Sequence, residues 1–185
     1  MELTQSHDRL VIKRTVIAYW LIPSEPAHSF LQQIINDLAL RYDAPVFEPH
    51  VTVYVGGHHP EVAQIALEAA QRASKLTALT PLGIDESDEF IKTLFVRFAM
   101  SRELREINRA IGKAVNDSSE YELKPHLSLL YKNLESPIRT GLAASIKVPF
   151  SELAFNSLQA IRCVSPTLTR ADVEAWELIA SRILE

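Results

Sequence analysis

Residues 47–53 read Phe47-Glu48-Pro49-His50-Val51-Thr52-Val53, and residues 123–129 read Leu123-Lys124-Pro125-His126-Leu127-Ser128-Leu129. Proline, histidine, apolar residue, hydroxyl residue and apolar residue thus occur twice in the same order, with His50 and His126 separated by 76 positions. Alternation of apolar and polar side chains is the period of a half-buried strand. On a strand, residues i and i+2 share a face, so His50 stands with Thr52 and His126 with Ser128. Two strands that meet would gather two imidazoles and two hydroxyls in one cleft.

Working outward, the run 16–22 is a β-branched and aromatic strand halted by Pro23. Ser24, Glu25 and Pro26 then read as a cap and an early-helix proline. Phe30, Leu31, Ile34, Ile35, Leu38 and Leu40 form the apolar stripe of that helix, and Asp43-Ala44-Pro45 closes it. The first motif strand runs on to Gly56-Gly57. Residues 60–74 form a second amphipathic helix with Val62, Ile65, Ala66 and Ala69 inward. The chain is extended from Leu76, turns at the acidic run 85–89, and resumes as a strand over 90–100. Ser101 opens a third helix with Leu104, Ile107, Ile111 and Val115 on its inner stripe, ended by Asn116-Asp117-Ser118-Ser119 before the second motif strand. A short helix over 137–146 precedes two final strands, 150–164 and 174–183, joined by a turn containing Pro166. The predicted fold class is α+β: bilobal and pseudo-two-fold duplicated, with two mainly antiparallel sheets flanked by helices around a central cleft, in a single domain spanning 1–185.

Composition narrows the function. With 47% hydrophobic residues and no apolar run of about 18, the 185-residue chain reads as an ordinary globular protein without a membrane span. Its polar N-terminus, with His7, lacks the apolar segment of a secretory signal, so a cytoplasmic location is expected. One cysteine, Cys163, permits no internal disulfide and no cysteine-based zinc site, and it reads as a buried strand residue. No phosphate-loop or dinucleotide fingerprint occurs among the five glycines. A net charge of −4 and an isoelectric point near 5.9 argue against a long nucleic acid as partner. A small substrate and a monomer are expected.

Histidine titrates near neutral pH, so a pair supplies an acid and a base together. In-line opening of a cyclic phosphodiester needs a base on the attacking water and an acid on the leaving oxygen, on opposite sides of phosphorus. Thr52 and Ser128 are placed to donate hydrogen bonds to the non-bridging oxygens. No metal and no cofactor are called for. His58-His59 lacks a third ligand at metal-binding spacing, and the acidic run 85–89 lacks the glycine and distant glutamate of a calcium loop. Parity also puts Tyr54 and Glu48 on the face of His50, where Glu48 can orient an imidazole. Lys124 falls on the face of His126, where it can draw an anion.

The motif pair resembles the signature of the 2H phosphoesterase superfamily. The phrases around His50 and His126, the latter continuing to Leu130 and Tyr131, are similar to those of the plant and microbial cyclic phosphodiesterases. Trp20 with Pro23, the 90–95 strand and the late Trp176 fall where that branch has comparable features. The resemblance implies a bilobal fold, His50, Thr52, His126 and Ser128 as the catalytic four, and metal-independent hydrolysis of cyclic phosphates. ADP-ribose 1″,2″-cyclic phosphate and nucleoside 2′,3′-cyclic phosphates, opened to 2′-phosphates, are the substrates it implies. It also places Tyr131 in the site, whereas simple parity from His126 points it away; a bulge or the strand's end would reconcile the two. Trp20 and Phe90 match aromatic positions in these enzymes and either stack a nucleobase or pack in the core, and Lys92 is a candidate phosphate or base contact. Two other readings stay open: RNA-end processing of the 2′-5′ ligase-like type, and a non-catalytic nucleotide-binding module.

Overall fold

The computed structural model describes residues 11–76, 78–116 and 121–184. His7 and the Asp117-Ser118-Ser119 part of the helix-ending run lie outside the described residues. The elements are β1 (Arg14–Pro23), α1 (Ala27–Tyr42), β2 (Val51–Gly56), α2 (Pro60–Ala73), β3 (Ala78–Leu79), β4 (Pro81–Glu86), β5 (Leu94–Phe98), α3 (Arg102–Val115), β6 (His126–Leu130), α4 (Ser136–Ser145), β7 (Leu153–Ser165), α5 (Arg170–Glu174) and β8 (Glu177–Ile183).

The strands form an antiparallel sheet in the order β3-β7-β1-β2-β6-β5-β4, with β8 also on β7. The two sheets foreseen from sequence are therefore two halves of one. They join where the motif strands β2 and β6 meet, through the pairing of Val51 with Leu127. Each of these residues is the spacer between its histidine and its hydroxyl, and both are fully buried in the core. Stepping one residue either way in an antiparallel ladder sets His50 across from Ser128 and Thr52 across from His126. The four polar side chains occupy the face opposite the core, with the histidines on one diagonal and the hydroxyls on the other.

Alternation along β1 shows the two faces. Ile17, Tyr19 and Leu21 join the main core with the buried stripes of α1, α2 and α3, while Ala18, Trp20 and Ile22 form a smaller cluster on the motif face. On α3 the stripe Leu104, Ile107, Ile111 and Val115 is buried as the sequence predicts, and Ser101 caps the helix by accepting from the Leu104 amide at 3.1 Å. On α2 the inward set is Ala63, Ala66, Leu67 and Ala70, one residue out of phase with the prediction, and Ile65 is exposed. Leu40 of α1 is likewise exposed, because the buried stripe runs through Leu31, Ile35, Leu38 and Ala39 and leaves position 40 on the outer side. At the other end of α1 the Glu25 carboxylate, not Ser24, accepts from the Ser29 amide and hydroxyl. Residues 90–92 are a 3₁₀ turn, not the start of a strand. Helix α5 was not foreseen; its capping box, Thr169 with Asp172, fixes it between β7 and β8. No described helix is long and apolar enough to cross a membrane.

Each motif strand carries one extra residue. Along β1 and β2, Tyr19 pairs with Tyr54 and Trp20 with Thr52, which leaves Val53 unmatched. Along β5 and β6, Leu94 pairs with Leu130 and Phe95 with Ser128, which leaves Leu129 unmatched. Both bulges sit three residues after the motif histidine. A bulge inverts the parity of the residues beyond it, and this decides which tyrosine faces the cleft.

Candidate functional site

Each histidine follows a proline at the end of an irregular segment, and a main-chain carbonyl two residues earlier pins it. His50 Nδ1 donates to the carbonyl of Glu48 at 2.6 Å, and His126 Nδ1 donates to the carbonyl of Lys124 at 2.7 Å. A carbonyl only accepts, so both neutral rings hold their proton on Nδ1. Nε2 is left as the nitrogen through which a proton comes or goes. Orientation of His50 therefore comes from the Glu48 main chain. The Glu48 carboxylate turns away to His28, 3.5 Å distant, and does not take the role given it from sequence.

The environments of the two rings differ. His50 is buried, and the Trp20 indole lies parallel to it, with centroids 3.6 Å apart and planes 13° apart. Phe47 and Trp176 meet it edge-on at 6.3 and 5.9 Å. Burial, assisted by the charge of His126 and opposed by the Glu48 carbonyl, brings the His50 pKa down to about 4. His126 is half-buried, with Phe95 edge-on at 5.5 Å. Its pKa is lowered chiefly by burial and secondarily by Lys92, while the Lys124 carbonyl and Glu89 act the other way.

The hydroxyls differ too. Ser128 Oγ donates to the Ile91 carbonyl at 2.7 Å, which ties the second motif to the 3₁₀ turn. Thr52 has its carbonyl held by the Tyr121 hydroxyl at 3.3 Å, and its own Oγ1 has no hydrogen-bond partner among the described residues. All four polar residues line a single cavity of about 300 Å³. Its rim carries Lys92 and Lys124, each beside a carboxylate: Glu89 at 3.1 Å and Glu122 at 2.7 Å. Its far wall is Val16, Ala18, Val55 and Cys163. Cys163 is thus a wall residue and not an enclosed core one, and burial pushes its thiol up to about 11, so it is a protonated, unreactive surface at neutral pH.

Of the remaining sequence-predicted residues, Tyr131 lines the cavity, and the Leu129 bulge is the reason. It stacks on Phe47 at 3.9 Å, and burial drives its phenol above the ordinary tyrosine range, with the neighbouring Ser128 side chain acting in the opposite sense. Tyr54 is a correction. The Val53 bulge turns it to the core, where it meets Tyr19 at 6.3 Å and Tyr121 at 5.9 Å. Trp20 lines the cavity, but with His50 on one face and only 5% of the residue exposed it offers little to a nucleobase. Phe90 lies behind Tyr131, 6.1 Å from it and packed against the core, outside the cavity wall. Four further aromatics were not foreseen as parts of the site: Phe47, Phe95, Tyr121 and Trp176. Trp176 is brought over the cavity by α5, which is held down by Lys13 to Asp172 at 2.6 Å and Arg170 to Asp43 at 2.7 Å. His58 and His59 are exposed, His59 beside Glu61 at 3.5 Å, and among the described residues no three of His, Cys, Asp and Glu gather as metal ligands.

Residues 15–184 match the family described as cyclic phosphodiesterase-like protein. The chain belongs to that family. It is accordingly an enzyme of the 2H phosphoesterase superfamily. A curated cyclic phosphodiesterase from Arabidopsis thaliana is 24% identical over 173 residues, covering 91% of this chain and 95% of the relative. Among solved structures, E. coli LigT in apo form is similar with a TM-score of 0.57 at 12% identity, covering 94% of this chain and 99% of that one. A structure described as a phosphoesterase also gives 0.57, at 15% identity and with 92% and 98% covered. The LigT and phosphoesterase structures share the α+β fold of this chain.

Proposed function

We propose that this cyclic phosphodiesterase-family enzyme opens small cyclic phosphates by histidine acid–base catalysis without a metal. The substrates are ADP-ribose 1″,2″-cyclic phosphate, giving ADP-ribose 1″-phosphate, and nucleoside 2′,3′-cyclic phosphates, giving 2′-phosphates. The observation that carries this reading is the diagonal pair of histidines in one cavity, each with Nδ1 pinned and, among the described residues, no partner on Nε2. Diagonal neighbours across an antiparallel ladder stand roughly 7–8 Å apart, which leaves room for a phosphoryl group between two imidazoles.

One neutral histidine takes a proton from water as the water oxygen bonds to phosphorus. The bond from phosphorus to one ribose oxygen breaks in line, and the other histidine, as imidazolium, hands its proton to that oxygen. The bound anion raises the pKa of both rings and so supplies the protonated partner. The direction of the leaving oxygen determines which histidine is the acid. Thr52 Oγ1 donates to a non-bridging oxygen directly, whereas Ser128 Oγ does so by releasing the Ile91 carbonyl. Lys92 and Lys124 attract the anion at the rim, and Tyr131 bounds the phosphate pocket. LigT, of the same fold, has been solved with phosphate and with 3′-AMP, which supports a nucleotide-sized ligand. We assign the activity to a monomer, working in the cytoplasm on a small molecule.

Hydrolysis of ADP-ribose 1″,2″-cyclic phosphate and of 2′,3′-cyclic AMP in EDTA tests the reading, with the wild-type enzyme expected to turn over at least one. Silence toward both overturns it. Strong preference for a cyclic-phosphate-ended oligonucleotide over the mononucleotide redirects it to RNA-end processing.

A further inference from the structure

The two halves of the sheet place an aromatic residue at the same point relative to each motif. Register sets Trp20 of β1 across from Thr52, and Phe95 of β5 across from Ser128. From beside the hydroxyl residue each ring reaches the histidine two positions earlier. Trp20 lies flat on His50, and Phe95 meets His126 edge-on, with planes at 72°. An imidazole whose Nδ1 is tied to a carbonyl still turns about that bond unless something holds its face. Trp20 covers a face of His50, and Phe95 is the ring that stands beside His126.

The supports are unequal. Trp20 is itself backed by Trp176 at 5.0 Å, so His50 sits within a box of Trp20, Phe47 and Trp176. The described titratable groups on the walls of its cavity away from the lysine rim include His126, the phenols of Tyr121 and Tyr131 and the thiol of Cys163, the last three neutral, and the Glu48 carboxylate turns to His28. Among the described aromatic rings, Phe95 alone stands against His126. It lies among charges: Lys92 with Glu89, Lys124 with Glu122, and Arg97, opposite it on β5 and paired with Asp85 at 3.2 Å.

We infer that Trp20 and Phe95 are a matched pair of positioning residues, one for each motif histidine, and that their unequal contact makes the two imidazoles chemically inequivalent. The inference rests on reading His50 and His126 as the proton-transfer pair, and it accounts for Trp20 being buried against a histidine instead of open to a base. Removing Trp20 admits water to the face of His50, which raises its pKa toward the free value by about one unit or more. A phenylalanine at the same place keeps a ring there.

Histidine-ring NMR titration of the substrate-free protein, with the pH profile of kcat/KM alongside, tests the pair. In Trp20→Leu the His50 titration moves up and that of His126 stays. In Phe95→Leu the His126 titration moves and that of His50 stays. Trp20→Phe keeps His50 near its wild-type midpoint. Turnover falls about 10- to 100-fold in Trp20→Leu, as expected for a misplaced acid or base, and Trp20→Phe recovers most of it. An unmoved His50 titration in Trp20→Leu, or both histidines moving together in either variant, overturns the inference. If Trp20→Leu fails to fold, Phe95→Leu, at a half-buried position, decides by the same criterion. An inactive wild type would refute the proton-transfer reading while leaving the titrations able to judge the positioning.

Discussion

The two motif strands share an irregularity and put it to different ends. In β2 the extra residue is Val53 and in β6 it is Leu129, each three positions past the histidine. Before the bulge, both strands keep the plain alternation that puts histidine and hydroxyl on the cleft face. After it, the residue at the fourth position turns to the core and the fifth turns to the cleft. In β2 these are Tyr54 and Val55; in β6 they are Leu130 and Tyr131. A tyrosine follows each bulge, offset by one position between the two motifs, and the offset alone makes Tyr54 a core residue and Tyr131 a wall of the cavity. Pseudo-symmetry fixes the backbone of both halves, and sequence chooses what each half presents.

The sharpest test of equivalence is removal of each histidine. His50→Ala and His126→Ala are each expected to lower kcat/KM by about 10²- to 10⁴-fold, the usual worth of a general acid or base. A variant that retains most activity would show that one half of the pair is structural. Next come the tyrosines. Tyr54→Ala should cost about 3–5 kcal/mol in denaturant unfolding, as for loss of a large core ring, with activity per folded molecule near wild type. Tyr131→Phe should leave stability nearly unchanged and reduce kcat/KM about two- to tenfold, the range for one hydroxyl contact. The reverse pattern would break the comparison between the strands.

The histidines also predict a difference in stability with pH. His50 titrates near 4 when folded and near 6.5 when unfolded, so between these values the unfolded chain binds the extra proton. Stability is then fully present above about pH 6.5 and falls as pH drops toward 4, by up to roughly 3 kcal/mol. His50→Asn should flatten this slope in urea titrations between pH 7 and 4. An unchanged slope would mean that His50 is not the buried neutral group described. The smallest effect concerns the core side of the first bulge. A Cβ on Gly112 of α3 would come 3.1 Å from the Tyr54 ring, which is wedged against Tyr19 and Tyr121. Gly112→Ala, ordinarily worth about 1 kcal/mol to a helix, is therefore expected to be net destabilising by about 1 kcal/mol. A stabilised variant would show that Tyr54 is free to move.

Local periodicity made much of this legible. Both motif strands, the α3 stripe and the pairing of four polar residues follow from alternation and 3.6-residue spacing. The bulges do not, because Val53-Tyr54 and Leu129-Leu130 look the same whether the strand is regular or bulged; register with a neighbouring strand decides it. Parity counting therefore misplaced Tyr54 and left Tyr131 to the resemblance. Phe95 and Trp176, although they fall where the resembled branch has comparable features, are not placed in the site by sequence for a related reason. Their positions beside the site depend on the β5–β6 register and on α5, neither of which is encoded near a motif. The capping box at Thr169 and Asp172 was a readable sign of that helix. Trp20 was noticed, but its stacking on a histidine, not a base, required the position of Trp20 opposite Thr52.

The halves of the sheet meet where Val51 pairs with Leu127. Strands bonded this way hold a spacing of about 4.8 Å, so the interval between the two imidazoles is set by the peptide ladder and not by flexible side chains. The backbone acts as a ruler whose graduation suits one tetrahedral phosphorus. A slip of one residue would turn His50 or His126 inward along with its hydroxyl, so the junction that measures the gap also guards it.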